Sequence, residues 1–113
     1  MTRETVNKLH FPHGNPVEFE YPIQEQLQIG DVIVVLLDIP PKVKYELNVF
    51  AFSTSGDFLW RVQETELFYR GSNCPYVGLT ITDNQQLVQF NWCDTAIIMN
   101  PSTGEILDKY ITK

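Results

Sequence analysis

Asp31-Val32-Ile33-Val34-Val35-Leu36-Leu37-Asp38 decides the fold. Its first four apolar residues are β-branched, and such side chains are stiff at χ1 and pack best on a pleated surface. Apolar residues occupy both the odd and the even positions, so both faces of this strand need cover, as a central strand has. Pro40-Pro41 ends it, because neither residue can donate to a sheet ladder. The run is far too short for the roughly 20 residues that span a bilayer.

Outward from this strand, the pattern repeats in weaker form. Residues 17–21 set Val17, Phe19 and Tyr21 against Glu18 and Glu20, the alternation of a strand with one wet face. Residues 47–53 and 58–62 flank Thr54-Ser55-Gly56-Asp57 and read as a hairpin, with Phe58, Trp60 and Val62 on one face. Residues 76–82 put Val77, Leu79 and Ile81 inward, and residues 86–92 put Val88, Phe90 and Trp92 inward. Residues 95–100 and 105–111 follow, separated by Pro101-Ser102-Thr103-Gly104. The best helical candidate, residues 24–28, is confined between Pro22 and Gly30 and is too short.

The 113 residues therefore form a single all-β domain, an antiparallel meander of seven or eight short strands. An N-terminal arm covers residues 1–16, and residues 63–75 form the longest irregular connection and the part expected to be most mobile. With no helix to cover an apolar face, the sheet is expected to curl into a partial barrel or two-layer sandwich, or to pair with a second subunit as a homodimer.

Fourteen acidic against 8 basic side chains give a formal charge of −6, which speaks against nucleic acid and for a basic protein as partner. Residues 1–8 hold no apolar h-region, and no segment suits a membrane. Cys74 and Cys93 form no CxxC pair; a disulfide between them is one reading, and free thiols in a cytoplasmic protein are the expected one.

No constellation for catalysis emerges, and the chain is read as no enzyme and as binding no cofactor. His10-Phe11-Pro12-His13-Gly14, with Glu18 and Glu20 nearby, has imidazoles and carboxylates suited to a divalent metal or a hydrolase site. Pro12 forbids a helical juxtaposition of the two rings, and no metal site is assigned. Cys93 has no histidine near it in sequence, and no serine lies in a GxSxG elbow. Trp60, Phe90 and Trp92 could line a barrel interior and hold a small molecule. The binding surface is placed instead at Phe68, Tyr69 and Arg70 with Glu64 and Glu66, because an exposed aromatic–arginine cluster on a loop is a common hot spot.

Two segments echo each other. Residues 48–61 and 96–109 both read apolar strand, small polar turn, Gly, acid, strand. This unit resembles the hairpins of quinoprotein-type β-propeller blades; Trp60 matches the tryptophan such repeats carry, and Asp108 departs from it. The whole chain also resembles a family of small uncharacterised bacterial all-β proteins, on Asn15-Pro16-Val17-Glu18-Phe19-Glu20-Tyr21-Pro22-Ile23, Leu37-Asp38-Ile39-Pro40-Pro41, Pro75-Tyr76-Val77-Gly78, and Asn91-Trp92 ahead of Asn100-Pro101-Ser102-Thr103-Gly104-Glu105-Ile106-Leu107. Some small acidic proteins of this kind sit beside secreted toxins. That resemblance implies an interaction domain serving as the immunity protein of a basic toxin.

Overall fold

Val32–Leu37 lies at the centre of the molecule, every residue of it buried. The computed structural model describes residues 7–112, so residues 1–6 of the N-terminal arm lie outside the described part. Ten antiparallel strands run β1 (Lys8–Phe11), β2 (Gly14–Glu18), β3 (Ile23–Ile29), β4 (Val32–Leu37), β5 (Val49–Ser53), β6 (Phe58–Arg61), β7 (Tyr76–Ile81), β8 (Leu87–Asn91), β9 (Thr95–Met99) and β10 (Ile106–Ile111). They make a β1–β2 hairpin and two four-stranded meanders, β3-β4-β5-β6 and β10-β9-β8-β7, and none closes into a barrel. The architecture is roughly a sandwich with a further two-stranded cover.

Two apolar clusters explain the layering. Val32, Val34 and Leu36 of β4 pack with Val49, Ala51, Trp60, Leu79, Leu87, Ile97 and Met99, which fills the space between the two meanders. Ile33, Val35 and Leu37 point the other way and pack with Leu9 and Phe11 of β1 and with Phe52, and Val17 and Phe19 close over them. Strand periodicity of two thus sends alternate residues of β4 into different cores. Phe52 meets Phe11, Phe19 and Phe58 at ring-centroid distances of 5.7, 6.0 and 5.8 Å, so the aromatic residues of the hairpin are mainly packing.

Where the sequence reading and the structure differ, polar burial and bulges are the reason. Among the described residues the strands number ten, not seven or eight, because residues 8–18 form the β1–β2 hairpin and residues 24–28, too short for a helix, lie in a further strand, β3. The inward face of β8 is Leu87, Gln89 and Asn91, the reverse of the expected one: Asn91 is buried because it accepts from the Cys93 N–H and donates to the Cys74 carbonyl. Trp92 consequently sits outside, 69% exposed. A register shift between Tyr76 and Gly78 likewise turns Val77 outward while Tyr76 and Leu79 are buried. Trp60, Phe90 and Trp92 therefore line no common interior, and the barrel cavity falls away. The echoed segments are the β5–β6 and β9–β10 hairpins, which close two separate sheets; nothing supports propeller repeats. Both turns use a glycine at positive φ, Gly56 at 96° and Gly104 at 76°.

Polar side chains tie the layers together. Asn48, fully buried, donates to the carbonyls of Leu37 and Tyr76 and accepts from the Tyr76 N–H, joining the two sheets. Glu25 accepts from the Leu79 N–H at 3.1 Å, and Gln24 donates to the Val77 carbonyl at 3.1 Å. At the other edge the Trp60 indole donates to the Pro101 carbonyl at 2.7 Å and packs closely against Gly104. Gly14 meets the Ser55 carbonyl so closely that no Cβ would fit, which seats the β1–β2 hairpin on the β5–β6 turn.

Candidate functional site

Residues 63–75 connect the two meanders without regular structure, as an apolar-poor, turn-rich segment should. The segment is nevertheless tethered along its length. Phe68 donates its N–H to the Thr95 hydroxyl at 3.0 Å, and Lys109 Nζ donates to the Glu66 carbonyl at 2.7 Å and to Thr65 Oγ1 at 3.3 Å. Asn73 Nδ2 reaches the Val43 carbonyl at 2.9 Å. Cys74 is bonded to Cys93, with the Cα atoms 5.4 Å apart. The expectation of two free thiols is thus corrected. Both residues fall where irregular chain crosses a hairpin turn, and nothing in their 19-residue spacing signals that approach.

Glu46 organises the middle of the segment. One carboxylate oxygen accepts from Arg70 Nη2 at 2.7 Å, and the other accepts from the Cys74 N–H at 2.7 Å. Burial by itself would raise the Glu46 pKa; the hydrogen bonds from Arg70 and Cys74 and the charges of Arg70 and Lys44 outweigh it and hold the carboxyl below its ordinary value. Arg70–Glu46 is the one ion pair among the described residues. Arg61 is engaged differently: its guanidinium lies 4.8 Å from the Phe50 ring centroid and 5.2 Å from that of Tyr45, and Nε donates to the Leu47 carbonyl. Burial pushes the Tyr76 hydroxyl strongly upward against the opposing hydrogen bond to Asn91, which keeps it a neutral structural group.

An open cleft of about 500 Å³ is lined by Glu64, Thr65, Glu66, Leu67 and Arg70. Of the residues singled out from sequence, Glu64, Glu66 and Arg70 meet here. Phe68 and Tyr69 do not line it; both project into solvent, 54% and 60% exposed, and Phe68 borders a shallower cleft with Ile106, Leu107, Asp108 and Lys109. A second groove of about 410 Å³ runs between Pro40, Pro41, Pro75, Val77 and Trp92. Glu46, which positions Arg70, was not foreseen, and its position between Tyr45 and Leu47 gives no sequence signal for that role. His10 and His13 are exposed on the β1–β2 hairpin. Among the described residues no group of three His, Cys, Asp or Glu side chains could hold a metal ion. No helix there is long and apolar enough to cross a membrane.

Residues 4–111 match the family described as Domain of unknown function (DUF7957). The chain belongs to this family. The match covers all three sheets. No curated protein and no solved structure matches the chain.

Proposed function

We propose that this DUF7957 domain is a non-catalytic protein-binding module that receives a basic segment of another protein at the cleft of Glu64, Glu66 and Arg70. The observation that carries the reading is the charge state of that cleft. Arg70 is neutralised by Glu46, whereas the exposed carboxylates of Glu64 and Glu66 have no ion-pair partner among the described residues. The nearby Lys109 ammonium is anchored on a backbone carbonyl and a hydroxyl and keeps its charge, which leaves the carboxylates in excess by one. Phe68 and Tyr69 supply aromatic surface beside these carboxylates, and the tethers along residues 63–75 hold the site in place, which lowers the ordering cost of binding. An immunity role toward a basic toxin is the specific form of this reading. The Cys74–Cys93 bond favours an oxidising compartment over the cytoplasm expected from sequence.

The test uses a lysine-rich decapeptide and a glutamate-rich one as probes, titrated calorimetrically into the protein at two salt concentrations. Binding of the basic peptide alone, weakened severalfold by added salt and abolished in Glu64→Lys/Glu66→Lys, is expected. Equal binding of both peptides, or an unaltered affinity in the double variant, refutes it.

A further inference from the structure

The central strands β4 and β5 of the first meander are covered on both faces; the β7–β10 meander is covered on one. Its outer face follows from the register. Thr80 pairs with Val88 and Gly78 with Phe90; Val88 pairs with Ile98 and Phe90 with Ala96; Ile98 pairs with Asp108 and Ala96 with Tyr110. These residues share one side of the sheet, and Trp92 continues it beyond the end of β8 by the same alternation. Val88 and Ala96 are buried yet belong to neither core cluster.

The composition of the face is unlike that of a wet one. On β3, an edge strand with a solvent side, the outward positions are Gln24, Gln26 and Gln28. Here the two central strands present Val88, Phe90, Ala96 and Ile98, and Asp108 at the margin is the one charged residue in the paired positions. In a chain with 14 acidic side chains and a net charge of −6, this is where like-charged copies can meet without bringing carboxylates together. A basic partner would gain nothing from charge at this surface, in contrast to the Glu64–Glu66 cleft.

We infer that the outer face of the β7–β10 sheet, centred on Phe90 and Ile98, is the surface by which two copies of this chain pair. Four strands spaced ~4.8 Å apart, over five residues at ~3.3 Å each, give a footprint of about 19 by 17 Å. With the exposed ring of Trp92 at its border the contact reaches roughly 500 Å² per partner, about 1,000 Å² in all, the lower bound for a specific association. An interface of that size belongs to the weak, reversible class, with the copies related by a two-fold axis so that the same patch serves both.

Sedimentation velocity from 1 to 200 µM tests this, at low and at high salt. A shift from 13.1 kDa to twice that mass is expected, with association unchanged or strengthened by salt because screening relieves repulsion between the acidic copies. Phe90→Lys should weaken self-association by more than about 30-fold. Because Phe90 is half-buried, Thr80→Lys and Tyr110→Lys, both at exposed positions of the same face, provide variants whose folding is not at stake. Leu59→Lys on β6 is the control and should leave the dimer intact. A monomer throughout the concentration range overturns the inference, as does a dimer that survives both Thr80→Lys and Tyr110→Lys. The opposite salt response of peptide binding at Glu64 and Glu66 keeps the two readings separable.

Discussion

Gly104 is the position at which a single methyl group should do the most damage. Its φ of 76° is in the left-handed region, which costs an alanine ~1 kcal/mol or somewhat more. A Cβ there would also stand 2.8 Å from Trp60 Cγ and 2.9 Å from Cδ2, well inside contact distance. The indole cannot simply withdraw, because it is buried in the inter-sheet core and donates to Pro101. Overpacking of this kind costs ~1–3 kcal/mol, and the reduced freedom of the unfolded alanine chain returns ~0.5 kcal/mol. Gly104→Ala should therefore lose about 3 kcal/mol. Gly30→Ala separates the two contributions, since its φ is 56° but nothing lies within 4 Å of the added methyl; it should lose only about 1 kcal/mol. In urea denaturation followed by circular dichroism, with a slope near ~1.5 kcal/mol/M, the midpoints should fall by about 2 M and under 1 M respectively. In a Trp60→Ala background the Gly104→Ala cost should shrink to that of Gly30→Ala, a coupling of ~2 kcal/mol. Equal losses for Gly104→Ala and Gly30→Ala, or additivity with Trp60→Ala, would refute the proposed contact between the β6 indole and the β9–β10 turn.

Two further expectations rest on polar groups. Asn48→Leu removes the acceptor of the buried Tyr76 N–H and should cost ~2–4 kcal/mol in the same denaturation assay, since an unsatisfied buried donor keeps its full desolvation penalty; a loss under ~0.5 kcal/mol would contradict that bond. Glu46 has its pKa lowered by folding, so its contribution to stability is present above the ordinary value of 4.5 and is lost as pH falls through the lowered folded value. Thermal unfolding of the wild type should weaken over that range more steeply than Glu46→Gln, and parallel curves would remove Glu46 as the lock on Arg70.

Much of the fold was legible because β4 is unambiguous: apolar at both periods, bounded by turn residues, and hence central. The hairpins at Gly56 and Gly104 were legible for a similar reason, since few residues accept the left-handed conformation. The inward face of β8 was not. Gln89 and Asn91 read as solvent-facing, and only the tertiary structure supplies the Cys74 and Cys93 backbone groups that make an inward Asn91 favourable. Periodicity likewise says nothing of a bulge, which is why Val77 was assigned to the wrong side. At the candidate site, Glu64, Glu66 and Arg70 could be grouped because they are close in the chain. Glu46 and the Cys74–Cys93 bond could not, because they bring together residues separated by 24 and 19 positions across different elements.

The double cover of β4 has a consequence for the chain before it is folded. Val32–Leu37 is a six-residue uncharged stretch of strong β-formers, the sequence type that stacks into cross-β assemblies when exposed. Both of its faces remain bare until the β1–β2 hairpin and the second meander have docked, and the latter depends on residues as far as Met99, 62 positions beyond Leu37. Asp31 and Asp38, one at each end, and Pro40-Pro41 just beyond act as gatekeepers during that interval, setting like charges in register against any stacked neighbour and denying the strand an extension. Removing both aspartates should change little in the finished molecule, where each is exposed, and much in the yield of soluble protein.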